Sequence, residues 1–275
     1  MDRTFKQAAE SYLEHGGENR YLDKVVEYFG DTPLNAIFPF DIKKMATELY
    51  PDHLNATRNR QAITPARAVI IHAYERGWCN MMRFTRLKED KPKRKTPASP
   101  AWLHVFCRQA DKDGLPHLSA IVLFMSHTGA RVAEATALRW GEVDIPGRRV
   151  MLLKTKTERN SVRHLTDEMV FRMQSLSKGE PDPEDRVFRY TSRFSVNERI
   201  MAVCERAGIP YKSSHACGRH SFATNAMSMG MDVKTAMEAG GWKSSVVFLE
   251  TYVHSRNAGR SVADRFNSVQ FSGDL

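Results

Sequence analysis

The side chains best equipped for chemistry in this 275-residue chain stand in four short, well-separated stretches. The first is Thr128–Gly129–Ala130–Arg131–Val132–Ala133–Glu134, a turn that opens a helix with an arginine at its start. The helix dipole mildly disfavours an arginine there, so its position needs a reason; the plain alternative is a surface ion pair with Glu134, three residues on. The second stretch places Lys154 and Lys156 between two β-rich runs. The third is His215–Ala216–Cys217–Gly218–Arg219–His220, and the fourth runs from Gly240–Gly241–Trp242 to Tyr252. Guanidiniums are permanently charged forks that hold anionic oxygens through paired hydrogen bonds. A tyrosine hydroxyl, with an ordinary pKa of about 10, becomes a nucleophile when a nearby cation or base helps it ionise. Other chemistries fit less well. His215 and His220 have no carboxylate or cysteine at ligand spacing, so no metal is expected. Cys217 reads as a small buried hydrophobe, and Met227, Met229 and Met231 as packing.

Helices must carry most of these groups. Residues 4–15, 21–29, 41–50 and 55–76 show helical spacing of apolar side chains, closed by Gly16–Gly17, Gly30, Pro51 and Gly77. Asp41 is expected to cap the third, and Pro65 marks a kink or the true start of the fourth. Four short helices make a bundle over residues 1–90. The next ten residues, Lys91 to Pro100, hold three prolines and four basic side chains and read as an extended linker. From residue 101 the elements mix. Helices are expected over 102–110, 118–127 and 131–138, then a strand-like region near 143–145. A hairpin follows, with strands 149–153 and 161–165, and further helices lie over 167–176, 195–207, 219–229, 233–239 and 245–252. The expected class is α+β, mainly α, with a small antiparallel sheet in the second domain.

Charge is unevenly spread. The chain carries +9, but residues 1–57 hold six basic and ten acidic side chains, and residues 58–95 hold eleven basic and three acidic. A solvated helix would interleave its signs; this concentration suggests a polyanionic partner. Arg58, Arg60 and Arg67 on the fourth helix and Lys91, Lys93, Arg94 and Lys95 in the linker are the expected contacts. The longest apolar run, Ala120 to Met125, is far short of the ~18 residues of a membrane span, and polar Asp2–Arg3–Thr4 argues against a signal peptide. Four cysteines without a C-x-x-C pair fit a reducing, cytoplasmic setting.

Taken in order, Arg131, the hairpin lysines, the box ending Arg219–His220, Gly240–Gly241–Trp242 and Tyr252 resemble the tyrosine recombinase (phage integrase) family. Each motif alone is weak; their order and spacing together are specific, and the likeness covers nearly the whole chain. The resemblance implies a SAM-like core-binding domain (1–90), a linker (91–100) and a catalytic domain with a C-terminal tail (101–275). It also implies roles. Arg131 and Arg219 look like the two catalytic arginines, Glu134 the buttress of the first, Lys156 the mobile acid, Trp242 a residue that is histidine in many members, and Tyr252 the nucleophile. The implied activity is site-specific, metal-free and cofactor-free cleavage and rejoining of double-stranded DNA through a 3′-phosphotyrosine. The implied assembly is a homotetramer on paired sites, with accessory DNA-bending or directionality proteins as further partners. No arm-binding domain is expected ahead of residue 1.

Physical chemistry agrees with those roles. In-line displacement at phosphorus builds negative charge on the equatorial oxygens, which two guanidiniums neutralise. The 5′-oxygen leaves as a strong base and needs a proton, which a lysine can supply. Three positions depart from the pattern. His215 precedes Arg219 by four residues where the family has three, so a bulge restores it, or Ala216 takes the place and another group, such as His220, serves as base; the family more often packs His220 structurally. Trp242 can only donate a hydrogen bond. Lys154 competes with Lys156, which counting back from Val162–Arg163–His164–Leu165 favours. The rival functions are nicking and resealing, as in type IB topoisomerases, and DNA binding without catalysis.

Overall fold

The computed structural model describes residues 2–90, 95–153, 160–177, 179–252 and 258–268. The chain divides into two compact units, Met1–Lys93 and Arg94–Leu275. The first is built from α1 (Phe5–Glu14), α2 (Leu22–Phe29), α3 (Pro39–Leu49), α4 (Asn55–Arg58) and α5 (Thr64–Glu75). Thr4 caps α1, its hydroxyl accepting the Gln7 N–H at 3.3 Å. Asp41 is not the cap of α3. That helix begins at Pro39, and Asp41 sits inside its first turn, reaching back to accept the Phe38 N–H at 2.9 Å. Phe5, Leu22, Val25, Ile42, Met45, Ile63 and Ile70 fill the core.

A π-turn, Asn59–Ile63, joins α4 to α5 and makes one long helix of the two. Pro65 follows closely, and the wider turn before it accommodates a residue that has no N–H to donate. The Thr64 hydroxyl donates to the Asn59 carbonyl at 2.8 Å, supplying a partner to an acceptor in the widened turn. Residues 78–90 do not continue as helix. They form a strap whose Trp78, Met82, Phe84 and Leu87 pack on the core. Asn59, only 2% exposed, clasps it. Its amide donates to the Leu87 carbonyl at 2.9 Å and the Glu89 carboxylate at 2.7 Å, and its oxygen accepts the Leu87 N–H at 2.9 Å. Asn55, one helical turn earlier, donates to the Lys88 carbonyl at 2.8 Å.

The second unit contains α6 (Pro100–Lys112), α7 (Pro116–Thr128), α8 (Val132–Ala137), β1 (Val143–Asp144), β2 (Arg149–Leu152) and β3 (Ser161–His164). Then come α9 (Asp167–Ser177), α10 (Arg193–Arg206), α11 (Ser221–Ser228), α12 (Val233–Gly240), α13 (Ser245–Tyr252) and α14 (Ala258–Ser268). The strands form an antiparallel sheet in the order β1-β2-β3, with Val150 opposite Val143 and Arg163. α7 is apolar and buried along nearly its whole length, which makes it the axis of the unit. The expected linker ends earlier than Pro100: Ala98 is fully buried, its N–H donates to the Ser221 hydroxyl at 2.7 Å, and Ser99 caps α6. A small satellite core of Ala223, Ala226, Ala236, Phe248 and Tyr252 ties α11, α12 and α13 together. Among the described residues no helix is long and apolar enough to cross a membrane.

Candidate active site

Arg219 is the best-anchored polar group of the second unit. It lies in a π-turn, Ala216–His220, that leads into α11. The wider turn accounts for the extra residue between His215 and Arg219. It spreads one turn over an additional residue, so a four-residue step spans an arc close to that of three residues in an α-helix. Gly218 allows the turn to lie against α7, since a Cβ there would meet the Met125 Cβ at 2.6 Å. The buried Arg219 fork is then aimed by three carbonyls: Nη1 donates to Gly129 at 2.5 Å and Gly240 at 2.7 Å, and Nη2 to Gly241 at 3.3 Å. One guanidinium face lies 3.5 Å from the centroid of the Trp242 ring. A guanidinium has five N–H donors; among the described residues these bonds use three and leave Nε and one Nη2 hydrogen, an edge suited to two oxygens of one anion.

Arg131 stands at the N-cap of α8, at the positive end of the helix dipole, where the Glu134 carboxylate in the first turn offsets the conflict. Glu134 accepts both its backbone N–H at 2.8 Å and its guanidinium at 2.6 Å. The Arg131 side chain keeps a third of its surface exposed, whereas that of Glu134 is 6% exposed. Burial, then the neighbouring Arg131 charge, pulls the Arg219 guanidinium down to about 10, and Arg163 adds to this while Glu134 and Tyr252 oppose it. Arg219 stays charged at neutral pH. His215 lies within electrostatic reach of both arginines. Burial first, then the charges of Lys95, Arg219 and Arg131, hold its imidazole below the ordinary value.

Tyr252 ends α13 and is 5% exposed. Its ring meets His220 edge-on at 5.0 Å and Trp242 at 5.4 Å, and Trp242 stacks on Phe222 at 5.9 Å. His220 is buried and its ring packs against those of Tyr252 and His215. Trp242 therefore touches both the arginine and the tyrosine. The glycines before it are required by close approach: a Cβ on Gly240 would fall 1.9 Å from the Trp242 ring, and Gly241 adopts φ +66°.

Arg131, Glu134, His215, Arg219, His220, Trp242 and Tyr252 thus converge. Lys154 and Lys156 lie outside the described residues, as do Lys91, Lys93 and Arg94. In the first unit Arg60 and Arg67 are exposed. Arg58 is committed to structure: its donors go to the Tyr50 carbonyl at 2.9 Å, the Pro51 carbonyl at 2.5 Å and Asn55 Oδ1 at 3.0 Å. Two features escaped the sequence reading. Arg83, Arg86 and Lys88 are exposed on the strap, which has no helical or strand periodicity to announce it. Arg163 is a buried cation of the site; its alternation with buried Leu165, the residue after β3, was the available signal.

The model of the phage integrase family matches residues 103–258. A tyrosine recombinase XerD of Bifidobacterium longum is 31% identical over 150 residues, an alignment spanning 49% of this chain and 48% of that protein. XerD of Mycobacterium tuberculosis is 27% identical over 267 residues, 86% of this chain and 85% of that one. Among solved structures, the Tn1549 transposon integrase in complex with transposon right end DNA superposes with a TM-score of 0.74 at 16% identity, covering 96% of this chain and 99% of that one. The XerH site-specific recombinase bound to a palindromic difH substrate gives 0.70 at 14% identity, covering 94% and 76%. These last two are likenesses of fold.

Proposed function

The chain belongs to the phage integrase family, the tyrosine recombinases that cleave and rejoin DNA strands, and we propose that Arg131, Arg219 and Tyr252 are the groups that do so here. The observation that carries this reading is the aim of Arg219, fixed by three carbonyls and a tryptophan face with its outer edge left for an anion. Buried charges ordinarily come paired. Around this centre, among the described residues, Arg131, Arg163 and Arg219 face one carboxylate, Glu134, and we infer an excess of positive charge that a phosphodiester would balance.

The steps follow. The two guanidiniums hold the non-bridging oxygens of the scissile phosphate and neutralise charge as it grows. The Tyr252 oxygen attacks phosphorus in line, its proton passing to a base for which neutral His215 is the assigned group. The bond to the 5′-oxygen breaks, that oxygen takes a proton from Lys156, and a 3′-phosphotyrosine remains. Attack by a 5′-hydroxyl of another strand reverses these steps and rejoins the DNA. Glu134 holds Arg131, and His220 and Trp242 pack around Tyr252. Arg60, Arg67, Lys91, Lys93, Arg94 and Lys95 contact the duplex backbone, and recombination proceeds in a homotetramer on paired sites.

The test is duplex selection from a random pool, followed by incubation of the chosen site with the full chain. Covalent protein–DNA complex should form on the selected duplex. A supercoiled plasmid lacking that site should stay supercoiled, whereas its relaxation would mark a topoisomerase and selective binding without any covalent complex a silent relative.

A further inference from the structure

The strand-transfer steps above leave one buried charge unused. Arg163 on β3 is 3% exposed, and among the described residues its Nε has no partner. Nη1 donates to the Ser161 hydroxyl at 2.5 Å and the Val162 carbonyl at 3.0 Å, and Nη2 to the Gly240 carbonyl at 3.2 Å. Its inward position faces Val150 across the sheet, beside Leu152 and Leu165, where an apolar side chain would avoid the cost of burying a cation. What the cation gains is at the far end of its fork. The Gly240 oxygen that accepts from Arg163 also accepts from Arg219 at 2.7 Å. Two guanidiniums grip one carbonyl. The turn they grip has no slack, since a Cβ on Gly241 would lie 2.3 Å from Arg163 Nη2.

We infer that Arg163 is a positioning residue for strand transfer: it fixes the Gly240–Gly241 turn and, through it, the direction of the Arg219 fork and the Trp242 ring facing that fork. The inference rests on the reading of Arg219 as the phosphate clamp. Without Arg163 the Gly240 carbonyl is held, among the described residues, by Arg219 alone, so Arg219 keeps its charge but its acceptor loses a second anchor. A misplacement of this kind costs rate rather than binding, on the order of 10- to 100-fold.

The test is a double-mutant cycle in the full chain, read as single-turnover cleavage of a nicked duplex that traps the covalent complex, with site affinity measured in parallel. R163M should cleave 10- to 100-fold more slowly than wild type at unchanged site affinity. R163K, which keeps the charge and loses the fork, should be equally slow. Neither should slow R219A further, because the group they act through is gone. Wild-type cleavage by R163M, full activity of R163K, or a defect that multiplies in the R219A background would each overturn the inference. If R163M does not fold, R163K decides within the same cycle. Normal cleavage by R219A would instead remove the clamp reading, and the inference with it.

Discussion

Arg131 and Arg219, the two groups proposed to hold the scissile phosphate, are anchored differently. Arg131 leans on one carboxylate at 2.6 Å, and Arg219 is fixed by three carbonyls. Removing either should slow trapped cleavage by about 10²–10³, the usual worth of one pre-aimed donor, with site affinity little changed. A large affinity loss with normal cleavage would make them phosphate anchors only. His215 gives a pH test. Burial and three nearby cations hold its folded value below the ordinary 6.5, so the neutral, proton-accepting form prevails at neutral pH. Cleavage should therefore be level between about pH 7 and 8 and fall only below the ordinary imidazole range, and the acid limb should vanish in H215Q. Over the same acidic window the unfolded chain binds the proton first, so stability falls as pH drops through 6.5 toward the folded value. An acid limb unchanged in H215Q assigns the base elsewhere.

The two π-turns are the elements on which positions depend. Gly218→Ala forces a Cβ against Met125 and should cost about 1–3 kcal/mol of unfolding free energy in urea titration. Asn59→Ala leaves the Leu87 N–H and carbonyl without their clasp. It should cost a similar ~1–3 kcal/mol and raise amide exchange at Leu87, while exchange in α1 stays as in wild type. Unchanged Leu87 exchange would show that the strap is held by Phe84 and Leu87 packing alone. These elements also mark the limit of sequence reading. The helices were legible because apolar spacing and stop signals are local, as with Gly16–Gly17 after α1 and Gly77 after α5, whereas the one expected cap, Asp41, lies inside α3. The site motifs were legible because their residue types are unusual at such positions. The strap was not, because its order comes from Asn59, 28 residues distant from Leu87. The π-turn at Ala216–His220 left its trace only as a spacing irregularity. Arg163 was legible only as part of the strand Val162–Arg163–His164–Leu165, since four residues of strand give alternation little room to speak.

At the scale of the whole molecule the proposal is an assembly that forms on DNA. α14 is amphipathic and leaves Phe266 68% exposed, an apolar group its own chain does not cover; Val269 and Phe271 lie outside the described residues. In a cyclic exchange each tail would dock on a neighbour and place that neighbour's nucleophile under shared control. Truncation after Gly259 should leave binding to a single site intact and abolish the paired-site complex in native gels. Loss of the catalytic unit's fold, or survival of the paired complex, would rule out exchange. Lys156 has its own test: a 5′-bridging sulfur leaves without needing an acid, so Lys156→Ala should fail on normal DNA and recover on that substrate. Recovery of Lys154→Ala in its place would move the role two residues upstream.

The most direct measurement is peptide mapping of the covalent complex trapped on a nicked duplex. The account predicts one phosphotyrosyl peptide, carrying the adduct on Tyr252, and predicts that Tyr252→Phe binds the same duplex with wild-type affinity yet forms no adduct. An adduct on Tyr190 or Tyr211, or covalent complex formed by Tyr252→Phe, would contradict it.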